Sequence, residues 1–193
     1  MKNLSDITVL ILAGQREGVE DPLCVLTSTE RKAIIPIMGR PMIDYPLEAL
    51  ETFGLKPPYH VSGFDADYDP RLIQSPSAPG PAESATLALE DGLEYPVLLT
   101  TADHALLSPE MLQFFLDGAV KTGADFCAGF AEESVIKPAY PNVKRTYLRF
   151  KDTAVSGCNL FYLANPEGLK AIQFWRRAQD FRKKPVRLAA SIG

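Results

Sequence analysis

The amino-acid sequence predicts an α/β protein of three layers, with helices on both faces of a mostly parallel sheet and an antiparallel addition late in the chain. Ile7-Thr8-Val9-Leu10-Ile11-Leu12-Ala13 is apolar without alternation, as a strand covered on both faces must be, and it breaks at Gly14. Tyr95-Pro96-Val97-Leu98-Leu99-Thr100-Thr101-Ala102 repeats the pattern and breaks at Asp103-His104. Strand-like and helix-like segments alternate along the rest of the chain, as in repeated β-α-β units. In open sheets of this kind ligands gather beyond the carboxyl ends of the strands, so functional residues are expected near Gly14 and Asp103.

The elements follow in order. Residues 18–29 contain Pro22 and few periodic apolar positions, and read as a loop that closes over whatever Gly14 binds. A short apolar segment then ends at Gly39, and Pro41 is placed to open a helix over 41–53, with Ile43, Leu47 and Leu50 at helical spacing and Gly54 as the stop. Residues 59–64 form the next strand. Residues 65–81, rich in Pro, Ser, Asp and Gly, read as a long loop and a candidate lid. A helix is expected over 82–93. Ser108 caps another that starts at Pro109 and runs to Lys121, and 125–130 is a strand. Residues 147–150 and 158–163 read as an antiparallel pair around Lys151-Asp152-Thr153, and 166–181 as the last helix, with Leu169, Ile172, Phe174 and Trp175 on its apolar side.

Composition excludes several classes. All 193 residues are read as one domain, since 46% hydrophobic content supplies one proper core and two domains would be cramped. No apolar run approaches the ~20 residues that cross a bilayer, and Asp6 ahead of the first run is unlike a signal peptide, so the expected location is cytoplasmic. Cys24, Cys127 and Cys158 are odd in number and lack metal-ligand spacing, so neither a disulfide framework nor a zinc site is expected. A net charge of −4 gives no general attraction to nucleic acid, and none is expected as a partner.

At the first turn, glycine allows a positive φ and a close ligand approach, exposing N–H groups to anionic oxygens, and Arg16 can add a charged fork. The turn carries neither a Walker A pattern nor a G-x-G-x-x-G fingerprint.

Three pieces stand in a telling order: Leu12-Ala13-Gly14 after the first strand, Lys32 before Gly39-Arg40-Pro41-Met42, and Asp103 ending a later strand. Together they resemble the molybdenum-cofactor-guanylyltransferase-like (MobA-like) NTP transferases, relatives of the sugar-phosphate nucleotidyltransferases, over residues 7–181. The resemblance implies a Rossmann-like, GT-A-like nucleotidyltransferase fold. It also implies that Leu12, Ala13 and Gly14 hold NTP phosphates, that Lys32 contacts phosphate and that Asp103 binds Mg²⁺ or Mn²⁺. Ser84, in Pro81-Ala82-Glu83-Ser84, lies where similar proteins read the base. The first loop of the family is richer in glycine and followed by an Arg-Met pair; here Gln15 replaces a glycine and 18–29 has no such pair, so either Arg16 substitutes or phosphate binding is altered. Chains of this type also extend somewhat further than this one, so a C-terminal extension is expected.

The implied reaction joins an NTP and a phosphorylated small-molecule acceptor, with attack of an acceptor oxygen on the α-phosphorus and loss of pyrophosphate. No protein nucleophile is needed; position and positive charge are, from Lys32, Arg16 and a divalent ion on Asp103. Plainer roles stay open: Asp103 as a turn cap, Lys32 as a surface charge, Ser84 as a helix cap. Asn159 is a second metal ligand or substrate contact, or else a hydrogen-bonded strand amide, while His60 and His104 read as satisfied polar side chains. A GT-A-type glycosyltransferase is the alternative enzyme, weakened because His104 and Ala105 follow Asp103 where an Asp-x-Asp motif would stand. A non-catalytic nucleotide-binding protein is the other.

One stretch remains. Residues 175–187 carry six basic residues against one acid, Asp180, and read either as a solvated helix face or as a contact for a phosphorylated acceptor or a peripheral anionic membrane surface.

Overall fold

Alternate residues of the first apolar run face opposite sides of one sheet, which is why the run has no polar face. The computed structural model describes residues 6–15 and 21–181, with side chains as far as Arg176. Strand β1 (Thr8–Leu12) sends Val9 and Ile11 into one core and Leu10 and Leu12 into another, on the opposite face. Against the first core pack α2 (Asp44–Phe53) and α4 (Pro109–Thr122), through Leu47, Leu50, Leu112 and Leu116. Against the second pack α3 (Pro81–Glu90) and α6 (Leu169–Phe181), through Ala85, Ala88, Leu89 and Ile172. Each fully buried Leu or Ile contributes roughly 1.5–3 kcal/mol, so these two cores dominate the fold's stability.

The main sheet is seven-stranded. Its order is β5 (Leu72–Ser75), β4 (Tyr59–Ser62), β1, β6 (Val97–Thr101), β9 (Ala154–Leu163) and β7 (Phe126–Glu132), with β8 (Leu148–Arg149) also paired to β9. β5, β4, β1 and β6 run parallel, with Leu10 level with His60 on one side and Leu99 on the other. β9 is antiparallel to β6, β7 and β8. The mostly parallel sheet and its antiparallel addition are therefore present, and β1 and β6 end side by side at the centre of one edge.

Four expectations need correction. The segment 18–29 holds a helix, α1 (Pro22–Thr27), whose N-terminus is capped by the Asp21 side chain accepting from Leu23 N at 2.9 Å. The cap signal was in the sequence; with Cys24 as the helix's only buried residue, apolar periodicity could not reveal it. Pro41 does not open α2 but lies in a small hairpin of β2 (Pro36–Ile37) and β3 (Arg40–Pro41), and the helix begins at Asp44. The supposed lid carries the edge strand β5, too short to show alternation. Finally, β9 begins at Ala154 rather than 158, and α5 (Glu133–Ala139), with Pro138 inside it, follows β7 unforeseen.

Candidate active site

Beyond the ends of β1 and β6 lies a crevice of about 500 Å³. Its lining brings together most of the residues expected to act: Leu12, Ala13, Gly14, Lys32, Ser84, Asp103 and Asn159. Arg16, the remaining candidate, lies outside the described residues, as do residues 182–187 of the C-terminal basic run; within that run Arg176 pairs with Glu83 of α3 at 2.9 Å.

Asp103 sits in the turn just past β6, fixed by Ala102 N donating to Leu12 O at 2.9 Å and His104 N donating to Thr101 O at 3.2 Å. Its carboxylate accepts from Lys32 Nζ at 2.5 Å and from Thr101 Oγ1 at 2.6 Å. Burial raises the Asp103 carboxyl, but the hydrogen bonds from Lys32 and Thr101, together with the Lys32 charge, outweigh it and hold the group below its ordinary value. At neutral pH it is therefore a carboxylate, paired with Lys32.

Lys32 reaches it because the chain around it is pinned. Lys32 opens a single 3-10 turn (Lys32–Ile34) whose Ala33 is buried, and Ile43 N donates to Ala33 O at 2.9 Å while Met42 N donates to Ile35 O at 3.0 Å. Cys24, Ile35 and Met42 form a small core beneath. The sequence segment around Gly39-Arg40-Pro41-Met42 thus serves as a brace for the lysine.

The turn after β1 behaves differently from the expectation. Gly14 does not take a positive φ; Gly63, just past β4, does, at +82°. A Cβ on Gly63 would lie 2.4 Å from Gly14 Cα and 2.7 Å from Gly14 N, so the two turns touch backbone to backbone. Glycine is demanded at 63 by this approach, and Gly14 is left exposed on the crevice side. Gln15 donates through Nε2 to Cys24 Sγ at 3.7 Å, tying the turn to α1.

Ser84 lies within α3, and its hydroxyl donates to Ala78 O at 3.0 Å and accepts from Ala78 N at 2.9 Å. With Ser62 Oγ donating to Pro76 O at 2.6 Å, it holds the 76–80 segment against the crevice. Asn159 stands in β9 with φ of 52°, where the β7–β9 register slips: Ala128 pairs with Phe161 but Phe130 with Gly157. That bulge turns a strand residue toward the crevice, a use of bulges that no alternation pattern announces. Of the two histidines, His60 is satisfied by Ser75 Oγ at 3.0 Å, whereas Nδ1 of His104 is buried without a partner. Burial lowers the His104 pKa, Asp103 opposes this and Arg145 adds to it, so the ring is neutral at neutral pH.

This arrangement has relatives. The sequence pattern of the MobA-like NTP transferase domain matches residues 26–154, two thirds of the chain. The chain belongs to the MobA-like NTP transferases. No curated protein is significantly similar to this transferase in sequence. Among solved structures, a hypothetical transferase from Thermus thermophilus is 30% identical with a TM-score of 0.76, over 96% of this chain and 77% of that one. A CMP:2-keto-3-deoxy-manno-octonic acid synthetase complexed with CTP is similar at 13% identity and TM-score 0.62, over 97% and 86% of the two chains. A 4-diphosphocytidyl-2C-methyl-D-erythritol synthase from Anaerococcus prevotii is similar at 11% identity and TM-score 0.60, over 90% and 76%. These last two share the Rossmann-like fold of the transferase. None of its described helices is long and apolar enough to cross a membrane.

The clamp on residues 76–80 makes a prediction for this transferase. Ser84→Ala removes both hydrogen bonds to Ala78 and should cost about 1–3 kcal/mol, read by urea unfolding. Unchanged stability would reduce Ser84 to a space-filling residue.

Proposed function

We propose that the protein transfers a nucleoside monophosphate from an NTP to a phosphorylated small-molecule acceptor, releasing pyrophosphate. One observation carries the reading: the Gly14 turn, Lys32, Asp103 and Asn159, distant in sequence, converge on one crevice at the carboxyl ends of β1 and β6.

The triphosphate lies along the exposed Gly14 backbone, with Lys32 placing its ammonium on the phosphates. An oxygen of the acceptor phosphate attacks the α-phosphorus, the bond from that phosphorus to the bridging oxygen of the β-phosphate breaks, and pyrophosphate leaves with the electron pair. Holding both partners in line within the crevice supplies much of the acceleration. Residues 78–80, fixed by Ser84, stand where the base would rest.

The donor set suits Mg²⁺. Asp103 offers a hard carboxylate held ionised, Asn159 a neutral amide oxygen, and Mg²⁺ characteristically takes one or two carboxylates along with waters and substrate phosphates. Among the described residues no group of three or more His, Cys, Asp or Glu offers a competing cage. When bound, the ion would neutralise charge on the phosphates. Lys32 then trades its ion pair with Asp103 for the nucleotide, so the pair seen here is the resting arrangement.

A pyrophosphate-release assay with each NTP and a panel of phosphorylated acceptors tests the reaction; strict dependence on both substrates and on Mg²⁺ is expected, and release without acceptor would point to simple hydrolysis. Lys32→Ala should weaken NTP binding about tenfold or more, as loss of one charged hydrogen bond does, without unfolding the domain. Calorimetry checks this, and unchanged affinity would make Lys32 only a partner of Asp103.

A further inference from the structure

One wall of the crevice plays no part in the nucleotide reading. Trp175 of α6 and Phe161 of β9 both line it, their rings stacked with centroids 5.3 Å apart and planes 27° apart. Phe126 of β7 continues the stack behind Phe161 at 6.1 Å and 25°. Trp175 and Phe161 are only half-buried, so each keeps ring surface toward the crevice. Their position is braced, because α6 packs along α3 and the neighbouring Arg176 pairs with Glu83 at 2.9 Å.

The order of the strands says what this wall faces. Residues 76–80 follow β5, Gly14 follows β1, Asp103 follows β6, and Asn159 and Phe161 belong to β9, in the order β5-β4-β1-β6-β9 across the sheet. With the base toward 78–80 and the triphosphate on Gly14 and Lys32, the α-phosphorus lies by Asp103. The side beyond it, toward β9, is left for the acceptor.

We propose that Trp175, backed by Phe161, is the platform on which the acceptor stacks, and that the preferred acceptor carries a ring beside its phosphate. This rests on the nucleotidyltransferase reading above. A ring offers a flat face to the indole, whose π-cloud attracts the positive edges of C–H bonds, and it arrives with few rotors to freeze. An acyclic polyol phosphate has no such face and loses more conformational freedom. Asn159, next to the platform along β9, can bond a ring hydroxyl. Trp175 is thus a specificity residue for the acceptor, with no part in binding the triphosphate.

Trp175 is the only tryptophan in the chain, so its emission reports on this wall alone. The full chain is titrated first with each NTP, then, at saturating non-hydrolysable NTP and Mg²⁺, with glucose 1-phosphate, inositol 1-phosphate and glycerol 3-phosphate. Little change with NTP is expected, followed by a saturable change with at least one ring-bearing phosphate at an affinity about tenfold or more above that for glycerol 3-phosphate. Calorimetry on Trp175→Ala should show that preference collapsing to within about twofold while NTP affinity stays the same; Trp175→Phe should largely restore it. The proposal is overturned by quenching with NTP alone, by glycerol 3-phosphate matching the ring-bearing phosphates, by silence toward both ring-bearing phosphates, or by a preference that survives in Trp175→Ala. Failure of the nucleotidyltransferase reading looks different: no NTP binds by calorimetry, or bound NTP yields no nucleotide-linked product with any acceptor, whatever Trp175 does.

Discussion

Replacing Asp103 by alanine should lower turnover on the order of a thousandfold, while the protein stays folded. The carboxylate stands at the end of β6 in the crevice, and it is held ionised by Lys32 and Thr101 at 2.5 and 2.6 Å. On the proposed mechanism its removal would take away the anchor of the divalent ion that neutralises the reacting phosphates, and losses of roughly 10²–10³ follow the removal of even one preorganised electrostatic contact. The fold should barely notice, because the Asp103 and Lys32 side chains are 32% and 36% exposed and screened pairs of that kind contribute about 1 kcal/mol at most. Single-turnover rates at saturating NTP and Mg²⁺, beside a thermal melt, check both halves. Turnover near wild type in a folded Asp103→Ala protein would remove Asp103 from the mechanism.

Gly63→Ala should destabilise the protein by about 3 kcal/mol or more, although residue 63 contributes no functional group. An alanine there pays for a left-handed φ, roughly 1 kcal/mol. It also drives a methyl to 2.4 Å from Gly14 Cα and 2.7 Å from Gly14 N, and backbone cannot swing aside as a flexible side chain can. The turns after β1 and β4 must separate, so NTP affinity should fall with stability. Gly92→Ala is the control: its φ is +101°, yet nothing lies within 4 Å of the added methyl, and only the conformational cost of about 1 kcal/mol is expected. Urea unfolding of both variants measures the difference. Equal costs would mean that the contact with Gly14 contributes nothing.

What could be read in the sequence follows what the physics makes local. β1 and β6 were legible because strands covered on both faces must be uniformly apolar, and α4 because Ser108 and Pro109 sign its start. Lys32 and Asp103 were legible only through their order relative to the first turn, and their direct contact, between residues far apart in the chain, was not. β5 escaped because an edge strand of four residues, with Ile73 and Gln74 exposed, has no pattern to show. Gly63 escaped because the atom that requires it belongs to another strand's turn. The turn of Asn159 into the crevice depends on a slip of register against β7, a property of the pairing that β9 alone does not carry. Trp175 was placed on the apolar side of the last helix, which is correct, but its share in the crevice depends on where α6 packs.

The central claim is that the α-phosphorus of an NTP is passed to an acceptor phosphate in this crevice, and the fate of labelled nucleotide tests it most directly. With NTP labelled at the α-phosphorus in one reaction and the γ-phosphorus in another, each with Mg²⁺ and an acceptor panel, the α-label should move into a nucleotide-linked acceptor and the γ-label into pyrophosphate, both lost in Asp103→Ala. Appearance of the γ-label as inorganic phosphate, or an NTP that binds yet never yields α-labelled product with any acceptor, would contradict it.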